Sequence, residues 1–508
     1  MNLLNYASKV SAMNMISRVT GFVRDAIFAI TFGAQQELDV FLLAFKIPNT
    51  LRRIFAEGAF GQAFIPVLAE YTLKDEKEQQ AFLDAIFTIL SLAVSILTVL
   101  VLYYPQILVR AFASGYEVGS ERYNLAIELM RYTFPYLAMI AITSFFSAAL
   151  QTKKRFMLPA LCPVLLNMML ISAAYLIGRK VLNPLYGLAW SIPIAGLLQV
   201  LILWYGYSRE YKAPKFTTSI QDKGAAKVIG LMAVGTYSCT IGLMSDIIDN
   251  SILSQLAPGS VSWVYLANRL CFLPLGVFGL SIIAVLGPAL SISYQGQDHK
   301  RFIKQLDWAV LSAGILGIPS ALGLVIFAEP IVITLFKHGK FTYYDVTMTV
   351  RSLKWMALGV PAFMWVKVLS SAFFTRQDTK TPAYCASIGL VVNIICALTG
   401  IAYLQHVSVA LASTISYYLQ VVLLYTALHY KKIYQLRPSI LKDFAKMVLA
   451  SVSVVTVSFF LPVGQAWIGF TLSVRLMYLA SAVLMSSLCY CAILYGLSMR
   501  FSRVTAQT

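Results

Sequence analysis

Charge is scarce in this sequence, and acids are scarcer than bases. Asp, Glu, Lys and Arg make up 12% of the 508 residues, with 22 acids against 40 bases. A soluble domain carries about 25% charged residues, so an ordinary water-soluble fold of this size is excluded. Metal-binding patterns are also missing. The seven cysteines (Cys162, Cys239, Cys271, Cys385, Cys396, Cys489, Cys491) fall in apolar stretches without C-x-x-C spacing, and the four histidines form no H-E-x-x-H motif. Neither a zinc site nor a disulfide framework is therefore expected, and no metal or catalytic residue is assigned. There is no phosphate-binding P-loop, hence no sign of an ATPase. The longest polar connection, Ser208 to Lys223, is too short for an extramembrane domain. The opening Met1-Asn-Leu-Leu-Asn-Tyr lacks the basic and cleavable features of a signal peptide, so the first helix is expected to persist.

What is present is apolar: 59% hydrophobic residues and a mean hydropathy of +0.73. Runs of about twenty apolar residues recur along the chain, each enough to cross a hydrocarbon core. They do not alternate polar with apolar, which excludes a β-barrel. The expectation is an all-α polytopic membrane protein of about fourteen transmembrane helices. Lys and Arg collect after even-numbered spans, as in Lys74, Lys77, Lys153, Lys154, Arg155, Arg209, Lys212, Arg376, Lys431 and Lys432, which predicts cytoplasmic termini. The net charge of +18 then belongs to short loops facing anionic headgroups, not to a nucleic-acid surface.

The chain also repeats itself. Gly58-Ala-Phe60-Gly61-Gln-Ala-Phe-Ile65-Pro-Val67-Leu68 matches Gly276-Val-Phe278-Gly279-Leu-Ser-Ile-Ile283-Ala-Val285-Leu286 at six positions. Phe112-Ala-Ser-Gly115 pairs with Phe336-Lys-His-Gly339, and Ser147-Ala148 with Ser371-Ala372, in the same order and at nearly the same spacing. Two parallel six-helix copies related by an axis along the membrane normal follow, since an even number of spans separates equivalent points. The expected organisation is an N-lobe over 1–207, a cytoplasmic linker over 208–223, a C-lobe over 224–432, and two unpaired C-terminal helices within 433–508.

The remaining charges lie inside spans. Arg18, Arg24, Asp25, Asp39, Lys46, Arg52, Arg53 and Glu57 occupy the first two, and Asp246, Asp249, Arg269, Lys354 and Lys367 the second copy. Each costs on the order of 2.5–3.5 kcal/mol at a bilayer centre, so they must line water, pair, or snorkel. Asp39, Lys46, Arg53 and Glu57 recur at helical spacing and define one stripe, joined by Asn49. Arg18, Arg24 and Arg52 exceed the local acids, leaving a cationic site suited to phosphate, which guanidinium holds bidentately. Arg269 precedes the second Gly-x-Phe-Gly as Arg52 precedes the first, which places it on a facing wall.

At these residues the sequence resembles the MurJ (MviN) family of lipid II flippases in the multidrug/oligosaccharidyl-lipid/polysaccharide exporter superfamily. The matching motifs are Ser17-Arg18-Val-Thr-Gly21-Phe-Val-Arg24-Asp25, Asp39, and Phe45-Lys-Ile-Pro48-Asn49-Thr-Leu-Arg52-Arg53-Ile-Phe-Ala-Glu57. Later come Gly259-Ser-Val-Ser262-Trp263, Ala267-Asn268-Arg269-Leu270, Lys340-Phe341-Thr342 and Thr375-Arg-Gln-Asp378-Thr-Lys380-Thr-Pro382. The resemblance implies that Arg18, Arg24, Arg52 and Arg269 bind substrate, with Asp39, Asp25, Asn49, Arg53, Glu57 and Ser262 in support. It also implies two parallel six-helix lobes around a central cavity, with the two C-terminal helices forming a groove for a lipid tail. Two positions depart from the family pattern: Asn268 where many members carry Asp, and Phe272 where many carry Glu.

The implied activity is alternating-access transport of lipid II, an undecaprenyl-diphosphate-linked disaccharide peptide, across a bacterial inner membrane. No enzyme chemistry, nucleic acid or cofactor is implied. Membrane potential, or a monovalent cation or proton gradient, would supply energy, with Asp246 and Asp249 either binding that ion or serving the structure; other cell-wall synthesis proteins are the expected neighbours of a monomer. The alternatives are an exporter of another polyprenyl-linked saccharide or of a drug, and an intramembrane enzyme acting on a polyprenyl diphosphate.

Overall fold

The computed structural model describes the backbone except at residues 1–2, 53–58, 179–183, 220–221, 461, 463–464 and 498–508. Side chains are additionally left aside at 3–12, 14, 59, 178, 184, 233–239, 277–278, 280, 284 and 465. The described chain is helical throughout, with no strand among the described residues. This is the outcome dictated by long apolar runs in lipid, where only intrasegment hydrogen bonding satisfies the backbone.

The helices are α1 (Leu3–Phe32), α2 (Gln36–Arg52), α3 (Ala59–Tyr71), α4 (Glu76–Tyr103), α5 (Pro105–Phe112), α6 (Glu121–Thr133), α7 (Tyr136–Thr152), α8 (Met157–Gly178), α9 (Pro184–Tyr207) and α10 (Lys223–Ser254). They continue as α11 (Ser260–Pro274), α12 (Leu280–Gln295), α13 (His299–Ile326), α14 (Ala328–Phe336), α15 (Tyr343–Leu358), α16 (Val360–Thr375), α17 (Lys380–Leu404), α18 (Val407–Tyr430), α19 (Pro438–Ser458), α20 (Gln465–Ile468) and α21 (Leu472–Gly496). Among the described residues, nine segments are long and apolar enough to span a membrane. The other expected spans fall on α1 and α19, which hold charges within their apolar runs, on the shorter pairs α2 with α3 and α11 with α12, and on α10. A π-helical turn, Leu275–Gly279, joins α11 to α12.

Packing divides the chain into two compact units, Met1–Val261 and Ser262–Thr508. Duplication and packing are separate criteria: α10 opens the second repeat by sequence, yet it packs with the helices before it. In the first unit α3, α4, α7 and α9 surround an aromatic core in which the rings of Phe60 and Phe64 stack at 5.0 Å and those of Phe146 and Tyr207 meet at 5.0 Å.

The polar segment after α9 is strapped along α4. The Lys215 N–H donates to Asp84 (2.9 Å) and the Thr217 N–H to the Thr88 hydroxyl (3.1 Å), while Lys212 pairs with Glu76 at 2.8 Å. Asp222 then caps α10 by accepting from the N–H groups of Gly224 and Ala225, and also from the Tyr71 hydroxyl at 3.1 Å. Such a cap satisfies helix N-terminal donors that have no partner within the helix.

In the second unit α19 and α21 dock on α13, with Leu311, Ile315, Met447, Tyr490 and Leu494 in one apolar cluster. The Tyr490 hydroxyl donates to the Ile315 carbonyl at 3.1 Å. A Cβ on Gly314 would lie 2.8 Å from the Phe444 ring, so glycine is what allows this close approach. Small residues at helix crossings are how lipid-embedded helices gain contact without a hydrophobic driving force between them.

Candidate functional site

The first-unit site is built on α1 and α2. Arg24 and Asp25 are neighbours in sequence, 4% and 1% exposed, and the Arg24 guanidinium donates to Asp25 Oδ1 through Nε (2.9 Å) and Nη2 (2.6 Å). Arg24 Nη1 donates to Asn167 Oδ1 on α8 at 2.9 Å. The rings of Phe28 and Phe45 lie 5.8 and 5.4 Å from the guanidinium carbon. Asn167 in turn donates from Nδ2 to the Ser17 carbonyl and the Thr20 hydroxyl, each at 3.1 Å. Arg24 is thus engaged in an internal, charge-balanced network in this conformation. Asn167 was not singled out by sequence; its signal was a lone amide in an otherwise apolar span.

The other cations are more open. Arg18, one turn and a half before Arg24, is exposed. Arg52, at the last turn of α2, is half-buried and donates from Nε to Asn49 Oδ1 at 3.1 Å. Arg53 and Glu57, expected on the same stripe, lie outside the described residues. Lys46 pairs with Asp246 on α10 at 3.3 Å, and Asp249, one turn further along α10, lies within electrostatic reach of the same ammonium. Asp246 and Asp249, expected as ion-coupling acids, therefore share a lysine.

At the other end of α2, Asp39 is 5% exposed and its Oδ2 accepts from the Gly259 N–H at 2.6 Å. A small pocket lies beside it, lined by Gln36, Asp39, Tyr116, Arg122, Ser254 and Pro258 among others. The loop before α6 seals this end: the Gly115 N–H donates to Ser254 Oγ at 3.0 Å, and the Ser114 and Ser251 hydroxyls meet at 2.5 Å. A Cβ on Gly115 would collide with the Gln255 backbone nitrogen, which gives the repeated Phe-x-x-Gly a packing reason in this copy.

In the second unit the site is a stripe on α11. Arg269 donates from Nε (3.1 Å) and Nη2 (2.9 Å) to the Tyr265 hydroxyl one turn earlier, with the tyrosine ring 5.0 Å away. Phe272, one turn later, is 45% exposed and meets Phe363 on α16 at 5.8 Å. Ser262 is fully buried. The neighbouring Trp263 donates from its indole nitrogen to Asp345 at 3.0 Å, and Asp345 forms a reciprocal capping box with Thr342, the last residue of the Lys340-Phe341-Thr342 turn. Tyr265 was also missed from sequence, although i, i+4 spacing to Arg269 was legible. Among the described residues, no group of three His, Cys, Asp or Glu side chains could hold a metal.

Apolar helices on the outside with arginines, a lysine and carboxylates engaged within the helix packing define a polytopic membrane protein of the transporter class, since such charges within spans mark substrate or ion pathways. The family described as "Lipid II flippase MurJ" matches residues 28–479, and the chain belongs to that family. The lipid II flippase of Burkholderia cenocepacia is 34% identical over 474 residues, covering 92% of each chain. The probable lipid II flippase of Vibrio cholerae serotype O1 is 33% identical over 515 residues, covering 100% of this chain and 98% of its own.

Among solved structures, a lipid II flippase in an inward closed conformation aligns with a TM-score of 0.82 at 26% identity, over 98% of this chain and 99% of that one. An inward-facing multidrug resistance transporter of the MATE family and MOP superfamily aligns with a TM-score of 0.70 at 16% identity, over 84% of this chain and 98% of that one. That second likeness concerns the fold alone.

Proposed function

We propose that this chain is a transporter that moves lipid II from the cytoplasmic to the periplasmic leaflet of a bacterial inner membrane. The observation that carries the reading is the cationic polar face of α1 and α2, with Arg18 exposed and Arg52 half-buried, in a chain whose family match runs over residues 28–479.

The chemistry follows from the cargo. A diphosphate carries clustered oxyanions, and planar guanidinium forks donate to them two bonds at a time. Arg18 and Arg52 act as direct phosphate ligands in the first unit, and Arg269 offers a guanidinium of the same chemistry in the second. Asp39 supports the site by accepting from the Gly259 N–H, and Asn49 by accepting from Arg52. The Arg24–Asp25–Asn167 network keeps α1 in register with α8 until a competing anion draws Arg24 away.

Movement follows an alternating-access cycle in which the head group crosses while the prenyl tail stays in lipid, and both termini remain cytoplasmic. No bond is made or broken, so no catalytic acid is required. A membrane potential acting on a cationic site supplies about 2.3 kcal/mol per charge per 100 mV, and Asp246 and Asp249 are where a coupling cation or proton would act.

The test is reconstitution of the full chain in vesicles holding labelled lipid II. Unaltered lipid should appear on the opposite face, and Arg52→Ala or Arg269→Ala should cut the rate at least about tenfold, as loss of a charged hydrogen bond implies, with folded protein retained. Chemically altered lipid would overturn transport in favour of an enzyme; wild-type rates in both variants would overturn the arginine assignment.

A further inference from the structure

The face of α11 that carries Arg269 is aromatic as well as cationic. Tyr265, Arg269 and Phe272 follow at intervals of four and three, which puts them on one helix face. The Tyr265 hydroxyl takes two donors of the guanidinium, at 3.1 and 2.9 Å, so the phenol is one of the groups that orient Arg269. The adjacent Asn268 and the following Phe272 are neutral too. On α16, Phe363 and Lys367 share a face at i, i+4, with the Lys367 ammonium 5.4 Å from the Phe363 ring centre. Phe272 joins the two faces, meeting Phe363 edge to face at 5.8 Å and 71°. Phe363 meets Tyr417 on α18 the same way, at 5.1 Å and 89°.

This panel is unlike a lipid-facing surface. Phe272 is 45% exposed, but it shares its helix face with a guanidinium and its ring neighbour with an exposed ammonium, and hydrocarbon would desolvate both cations at a cost of several kcal/mol. It is also unlike a pure phosphate site, which has no use for an open phenyl ring. A ligand that satisfies both halves carries anions and a weakly polar C–H face side by side. A glycosyl diphosphate has that form: its phosphates suit Arg269 and Lys367, and the axial C–H hydrogens of a pyranose ring lie against the negative face of an aromatic ring.

We infer that Phe272 and Phe363 form a sugar-stacking platform that reads the first saccharide of the lipid-linked cargo, with Tyr265 as the positioning residue for Arg269. The inference rests on the proposed flippase reading and adds a specificity element to it.

The experiment measures binding of three lipids to the detergent-purified full chain: a polyprenyl diphosphate, the same lipid with a disaccharide, and the same with disaccharide and peptide. Phe272→Leu keeps apolar volume but removes the ring; it should weaken both glycosylated lipids about fivefold and leave the sugar-free lipid unchanged. Phe272→Tyr should restore sugar-dependent binding. Tyr265→Phe should weaken all three lipids and Tyr265→Gln, which keeps a hydrogen-bond acceptor, should recover part of the loss. Equal losses on all three lipids with Phe272→Leu, or a loss confined to the peptide-bearing lipid, would overturn the platform while leaving transport intact. Failure of the wild-type chain to bind any of the three would overturn the flippase reading itself.

Discussion

The Asp39 carboxylate accepts a 2.6 Å hydrogen bond from the backbone N–H of Gly259. Gly259 sits at φ +97°, a conformation that disfavours side chains, immediately before α11 begins at Ser260. The start of α2 is thereby tied to the turn that launches α11. Asp39→Ala removes a charge-assisted bond and should cost about 1.5–3 kcal/mol of stability, whereas Asp39→Asn, which keeps an acceptor oxygen, should cost less. Thermal unfolding in detergent checks the order; equal midpoints for both variants would show that the bond does not bear on stability. Asp39→Ala should also slow transport in reconstituted vesicles more than Asp39→Asn does.

Arg24 and Asp25 make a second prediction, in which the double variant is more stable than one of its parents. Arg24→Ala leaves a carboxylate 1% exposed without its guanidinium and should cost about 3–5 kcal/mol. Arg24→Ala with Asp25→Ala removes both charges and should recover a large part of that loss. A denaturant series on these two variants and on Asp25→Ala measures the coupling. Strict additivity would mean that the 2.6 Å pair contributes nothing.

Lys46 and Asp246, 3.3 Å apart and 28% and 22% exposed, allow a charge swap. Asp246→Ala should lower transport several-fold, and exchanging the two residues should restore most of it, with a coupling of about 1 kcal/mol. The assay is flux in the reconstituted vesicles with and without a sodium or proton gradient. If the exchanged pair stays inactive while the wild type responds to one gradient, Asp246 acts as an ion ligand and not as the partner of Lys46.

Asp378 gives the pH prediction. Burial by itself raises this carboxyl, but hydrogen bonds from Lys431 and from the Thr381 N–H and hydroxyl outweigh it and bring it down to about 2. A carboxyl lowered by folding contributes stability in full above its unfolded value near 4 and loses it as pH falls towards 2. Wild-type protein should therefore lose this increment between about pH 4 and pH 2, and Asp378→Ala should be less stable at neutral pH by about 0.5–2 kcal/mol, as for a lost helix cap. Melting curves across that range, wild type against variant, should converge at the acid end; a constant gap would rule out the carboxylate as the source.

Much of this protein was legible in its residues because lipid imposes so few solutions. Long unalternating apolar runs admit only helices, and charges inside them cannot be indifferent to their surroundings. The membrane class and the helical fold followed from that, and the family from motifs that the same charged residues carry. The same residues could not say which arginine is occupied. Arg18 and Arg24 have the same chemistry and lie on one helix, yet one is exposed and the other is enclosed by Asp25 and by Asn167, a residue 143 positions away.

Likewise, the Tyr265 partner of Arg269 lies one turn away on the same helix and was legible as a spacing, whereas the aromatic rings of Phe363 and Tyr417 came from α16 and α18 by packing. The Lys46 partner of Asp246 came from the packing of α10 against α2, which no spacing in the sequence announces. Composition and spacing determine what a side chain can do, because they set its charge and the helix face it occupies. Only the packing of distant helices decides what it does, because desolvation and pairing depend on neighbours that sequence separation conceals.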